Sequence, residues 1–168
     1  MARFSRLEVL NRIVEVGLVP VFYHGDIEVV SEAVAAYSAG GVTLFEFTNR
    51  GDHAIEVFRA LERRAAQHAP TLILGAGSIV DQATAALFVA HGANFIVGPS
   101  FNERVARFCN RRKIAYLPGC ATANAASSSP SGPRPARSRS NPKDFCRSKH
   151  TSSRSTNLIE ASGALAPI

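Results

Sequence analysis

Glu46 stands inside an otherwise apolar run, Leu44-Phe45-Glu46-Phe47, where an ionised carboxylate is costly to bury without a partner. Arg50 follows one helical turn's worth of residues later, just past the predicted end of that run. In this pattern Glu46 can act as a general acid and base whose pKa is set by its apolar walls, with Arg50 anchoring a substrate carboxylate. The same spacing also fits a structural Glu46–Arg50 ion pair, and both readings are open. Gly75-Ala76-Gly77-Ser78 reads as the turn after a third apolar run. Its glycines would let backbone N–H groups approach an anion at a helix start, and Ser78 adds a hydroxyl donor. A plain tight turn fits those residues as well. Gly98-Pro99-Ser100 and Pro118-Gly119-Cys120-Ala121-Thr122 close two further runs in the same way, so Pro99 is a candidate rim residue.

The remaining reactive side chains fit packing better than chemistry. Cys120 has no His or Asp partner in the pattern and reads as a buried turn cysteine, while Cys109 falls among apolar helix positions and reads as core. His24 follows the first apolar run and could face the same rim. His53 opens a helix, and His68 and His91 close helices, where a cation suits the macrodipole. No pair has metal-ligand spacing, so no metal is expected, and no cofactor. Arg111-Arg112-Lys113 reads as a solvated helix end rather than a phosphate clamp.

These residues need a frame. The apolar runs are 18–22, 42–47, 72–75, 95–97 and 114–117, rich in Val, Ile and Phe and flanked by Gly or Pro, as expected of strands buried on both faces. Between them lie Ile27–Ser38, Asp52–His68, Asp81–His91 and Asn102–Arg111, each opening near Asp or Asn. Strands alternating with helices predict right-handed βαβ units and a parallel α/β sheet, either doubly wound or the wall of a (β/α) barrel. A barrel of that type closes with eight strands, so about five units imply an open sheet or a barrel only partly built.

Composition divides the chain. Apolar residues make up 46% of the 168, enough for a core. The net charge of +6 suggests nucleic acid, yet residues 1–122 carry 12 Lys and Arg against 11 Asp and Glu. Residues 123–168 carry 7 against 2, and 11 of those 46 residues are Ser and five are Pro. Such a segment cannot bury enough apolar surface to offset chain entropy and is expected to be a low-complexity, disordered tail. It lacks the interleaved aromatics of a single-strand binder, so nucleic acid is not expected as a partner. No run reaches the length of a membrane span and no apolar stretch follows the N-terminal residues, which argues against membrane and secretion. Three cysteines at no metal-like spacing fit a reducing, cytoplasmic setting.

Residues 4–122 resemble the bifunctional 4-hydroxy-2-oxoglutarate and 2-dehydro-3-deoxy-6-phosphogluconate aldolases. The resemblance runs, in order, through Val19-Pro20-Val21, Ala39-Gly40-Gly41-Val42, Phe45-Glu46-Phe47-Thr48-Asn49-Arg50, Gly75-Ala76-Gly77-Ser78-Ile79-Val80, Gly92-Ala93-Asn94-Phe95-Ile96-Val97-Gly98-Pro99 and Tyr116-Leu117-Pro118-Gly119-Cys120-Ala121-Thr122. It implies a TIM-type barrel, here its first five or so βα units, and a class I lyase that cleaves a 2-keto acid through a Schiff base. It assigns proton transfer to Glu46 and the substrate carboxylate to Arg50, with Ser78 standing where the family usually has Thr. It also implies a homotrimer.

One departure bears on activity. The family's nucleophile is a lysine on the sixth strand, within an apolar-Lys-apolar-Phe-Pro run. The corresponding region here is Ala136-Arg137-Ser138-Arg139-Ser140, and the nearest lysines, Lys143 and Lys149, lie on no apolar run. No Schiff-base lysine is therefore assigned. The tail is expected to be a replaced half, as a reading-frame shift near codon 123 would produce, and the family trimer is doubtful for this chain. Three functions follow: an aldolase acting on small 2-keto acids, an inactive fragment without its amine, and a protein held to nucleic acid by its basic tail.

Overall fold

The computed structural model describes residues 2–120. The Ser- and Arg-rich tail, with Lys143 and Lys149, lies outside the described residues, as do Ala121 and Thr122. Five helices alternate with five strands among the described residues: α1 (Arg6–Val16), β1 (Val21–Phe22), α2 (Ile27–Ala39), β2 (Leu44–Thr48), α3 (Ala54–His68), β3 (Ile73–Gly77), α4 (Gln82–Ala90), β4 (Phe95–Gly98), α5 (Glu103–Arg112) and β5 (Ala115–Pro118). All neighbouring strands are parallel, and their order in space is β1-β2-β3-β4-β5. Order in space follows order in the chain with no reversal. That is the winding of a barrel wall and excludes the doubly wound alternative.

The two faces of the sheet bear this out. Side chains alternate along each strand. Phe45, Phe47, Leu74, Ala76, Ile96 and Tyr116 bury against Val30, Val34, Phe58, Leu61, Phe88, Val105 and Phe108 of α2 to α5. Leu44, Ile73, Phe95 and Ala115 point the other way and bury against Val9 of α1. Four helices thus cover the outer face, and α1 packs on the inner face against the first residues of the strands.

Helix α1 was absent from the sequence-based expectation. Its start is nevertheless written in the chain as a capping box: Glu8 N–H donates to Ser5 Oγ at 3.3 Å and Ser5 N–H to Glu8 Oε2 at 2.7 Å. Gly17, in the left-handed region at φ 67°, closes it. Asn94 holds the segment before α1. This buried amide accepts from Arg3 N–H at 2.8 Å and Phe4 N–H at 3.1 Å, and its Nδ2 donates to the carbonyls of Leu74 and Gly92 at 3.1 Å each.

Asp26, Asp81 and Asn102 cap α2, α4 and α5 as expected, each accepting from a backbone N–H of the first turn. Helix α3 departs from expectation. Its cap is His53 at φ 60° rather than Asp52, and no side chain caps it. Backbone bonds close that turn instead, from Ala54 N–H to Gly51 O and from Glu56 N–H to His53 O. The first strand shrinks from the expected 18–22 to two residues, Val21–Phe22.

Candidate functional site

The register carries one row of side chains across the whole sheet. Val21 pairs with Glu46, Glu46 with Gly75, Gly75 with Phe95, and Phe95 with Ala115. Phe95 and Ala115 belong to the inner cluster, so the row lies on the inner face and Glu46 faces the barrel interior. Glu46 is 9% exposed. Burial pushes its carboxyl pKa up, and the positive charge of Arg50 only partly opposes that. β2 is buried at all five positions, which is why a carboxylate at its centre loses water.

Arg50 does not form the structural ion pair that spacing allowed. The ion pairs among the described residues lie elsewhere, and none within 4.0 Å joins Glu46 to Arg50. Arg50 is exposed beyond the C-terminal end of β2, and its Nε donates to Ser78 Oγ at 3.3 Å. Ser78 sits at φ 61°, a left-handed conformation that a non-glycine residue adopts at a cost of about 1–2 kcal/mol. Asn49 N–H to Gly77 O at 2.9 Å ties the exits of β2 and β3 together beneath this contact.

The structure corrects the reading of Gly75-Ala76-Gly77 as a turn. All three lie within β3, in register with β2, and only Ser78 follows the strand. Helix α4 opens later, at Gln82 behind Asp81, so these glycines cradle no anion at a helix start. Their role is to omit side chains where β3 passes its neighbours.

Pro99 is exposed on the same rim, after β4, and makes no hydrogen bond to Glu46, Arg50 or Ser78. Ile79 N–H to Val97 O at 3.1 Å and Gly119 N–H to Gly98 O at 2.8 Å brace the loops on either side of it. Tyr116, unmarked in the sequence reading, adds to the brace. Its hydroxyl donates to Ser100 O and accepts from Asn102 N–H, both at 3.1 Å. Cys109 is buried core as expected, its thiol pushed up to about 12 by burial. Cys120 is half-buried rather than buried, its Sγ 3.7 Å from Pro118 O. His24 is exposed and spends Nδ1 on Asp26 N–H at 3.0 Å. Lys113, the single lysine among the described residues, caps the C-terminus of α5 just before β5, at the opposite end of the sheet from Arg50 and Ser78.

A buried carboxylate below a cationic rim, at the C-terminal end of parallel strands, is where a barrel of this winding places its chemistry. The family model described as "Aldolase: KDPG and KHG aldolase" matches residues 9–129. The chain belongs to the KDPG and KHG aldolase family. It is 32% identical over 123 residues to a 2-dehydro-3-deoxy-phosphogluconate aldolase of Pseudomonas aeruginosa, covering 71% of this chain and 52% of that protein. It is 30% identical over 105 residues to the KHG/KDPG aldolase of Escherichia coli K12, covering 62% and 47%. The chain thus spans about half the length of the curated relatives it matches. Among solved structures it resembles the 2-keto-3-deoxy-6-phospho-gluconate aldolase of Zymomonas mobilis at 26% identity and a TM-score of 0.58, over 65% of this chain and 50% of that one. A KDPG aldolase from Legionella pneumophila, with pyruvate captured as a covalent carbinolamine, shares the fold at 23% identity and a TM-score of 0.60, over 66% and 52%.

Proposed function

We propose that this KDPG and KHG aldolase family member works as a cytoplasmic class I aldolase. It cleaves 2-dehydro-3-deoxy-6-phosphogluconate or 4-hydroxy-2-oxoglutarate to pyruvate plus glyceraldehyde 3-phosphate or glyoxylate. The observation that carries this reading is Glu46: a carboxyl group with a raised pKa, on the inner face of the sheet, below the Arg50–Ser78 contact. An amine adds to the C2 carbonyl and water leaves, giving an iminium. Glu46 takes the proton of the C4 hydroxyl, the C3–C4 bond breaks, and its electron pair neutralises the iminium as an enamine while the aldehyde departs. Glu46 returns the proton to C3, and water releases pyruvate. Arg50 holds the C1 carboxylate, Ser78 orients the guanidinium, and Pro99 lines the rim on the β4 side. The amine comes from outside residues 2–120, because Lys113 stands at the wrong end of the sheet.

Borohydride reduction in the presence of pyruvate, followed by mass spectrometry of the digested chain, tests this directly. On this reading a reduced pyruvate adduct falls on Lys143 or Lys149, the two lysines beyond residue 120, although neither stands on the apolar run that the family's nucleophile occupies. An unmodified chain defeats the covalent mechanism. The position of Lys113 favours a second reading, in which the chain binds 2-keto acids without bonding to them. On that reading pyruvate raises the thermal midpoint with no adduct formed. In both, Arg50→Ala weakens keto-acid binding roughly 10- to 100-fold, as expected for a lost charge-assisted contact and readable by calorimetry.

A further inference from the structure

β3 presents no side chain at two successive inward positions, Gly75 and Gly77. Neighbouring strands fill both spaces. A Cβ built on Gly75 would overlap the Phe95 ring, which reaches across from β4. A Cβ built on Gly77 would overlap Oε1 of Glu46 and stand 2.7 Å from its Cδ and 2.9 Å from its Cγ. Register pairs Glu46 with Gly75, yet its carboxylate lies against Gly77, one row nearer the rim. The Phe95 ring explains the slant, because it already occupies the space above Gly75.

We infer that Gly77 is a positioning residue for Glu46: its missing side chain is the seat of the carboxylate, and Phe95 steers the carboxylate into that seat. The contact stands on geometry alone, and only its consequence for turnover rests on the reading of Glu46 as proton carrier. Strand glycines mark close approaches of this kind. Gly77 is not among the positive-φ residues, so alanine there meets no backbone strain. What alanine strikes is the end of a flexible side chain, so the carboxylate moves and the sheet stays. Phe95 blocks the way down, leaving the way up toward solvent and Arg50, the charge that acts on Glu46.

The test uses the full 168-residue chain with carboxyl-labelled glutamate, followed by NMR titration of Glu46 in the parent and in Gly77→Ala. The expected result is a lower Glu46 midpoint in Gly77→Ala, because the displaced group regains water. An unchanged midpoint in a folded variant overturns the proposal. A double-mutant cycle with Glu46→Ala covers the case in which Gly77→Ala folds poorly, since that truncation removes the Cγ, Cδ and Oε1 atoms that the new methyl group meets. Gly77→Ala should then lower the thermal midpoint less in the Glu46→Ala background than in the parent. Equal losses in both backgrounds, or no recovery of folding, overturn it as well. Neither readout involves substrate, so the outcome is independent of whether pyruvate forms an adduct.

Discussion

Glu46 is the residue on which burial and charge meet, and its raised pKa has a consequence for stability. The unfolded chain ionises this carboxyl near its ordinary value, whereas the folded chain holds the proton to higher pH. Between those two points the native state binds more protons, so stability falls as pH rises through that window. The contribution is fully present below the unfolded pKa and is lost above the folded one. Glu46→Gln removes the effect. The variant is expected to lose less stability than the parent between pH 4 and pH 7, measured by urea unfolding at each pH; on the proposed aldolase reading, keto-acid turnover also drops roughly 10²- to 10⁴-fold. A parent and variant with the same pH slope would show that Glu46 ionises freely. Glu46 and Arg50 were both visible in the sequence, one as a carboxylate in an apolar run and the other by its spacing. Their separation was not visible, because Arg50 turns to Ser78 and the partner that draws it away is distant in the chain.

At the scale of elements, apolar runs and cap residues located four helices and five strands within a few residues. The exceptions have local causes. In α1 the apolar residues spread around the helix: Val9, Leu10, Ile13 and Val16 pack inward while Leu7 and Val14 are exposed. That blurs the helical period, and only the Ser5–Glu8 capping box marks the start. In β3 the glycines read as a turn because glycine is rare inside strands, and the groups that fill their space, the Phe95 ring at Gly75 and the Glu46 carboxylate at Gly77, come from other strands. The hold on α1 depends on Asn94. Asn94→Leu strands two N–H groups and the Gly92 carbonyl, while Leu74 O keeps the backbone N–H of residue 94, with an expected cost on the order of 3 kcal/mol by denaturant unfolding. Hydrogen exchange in α1 should rise in that variant while β3 is little changed. Equal acceleration in both would mean that Asn94 supports the sheet as a whole rather than the N-terminal segment.

For the whole molecule, the wall of parallel strands sets the order of local stability. β2 and β3 are buried throughout and each has a neighbour on both sides, whereas β1 is two residues long and Val21 is 54% exposed. Native-state hydrogen exchange is expected to be slowest in β2, β3 and β4 and fastest in β1. Protection in β1 equal to that in β3 would contradict the edge position of β1 among the described strands. Among the described residues, no helix is long and apolar enough to cross a membrane.

From its residue order alone the chain declared a parallel α/β unit, its family, and the pair Glu46 and Arg50, because periodicity, capping and short motifs are local and survive in one dimension. Only the tertiary structure decided between a barrel wall and a doubly wound sheet, placed α1 on the inner face, and turned Gly75 and Gly77 from a supposed turn into strand positions against Phe95 and Glu46. Those are questions of which strand lies beside which. The contacts that answer them join residues far apart in the chain, and no local pattern encodes the distance between them.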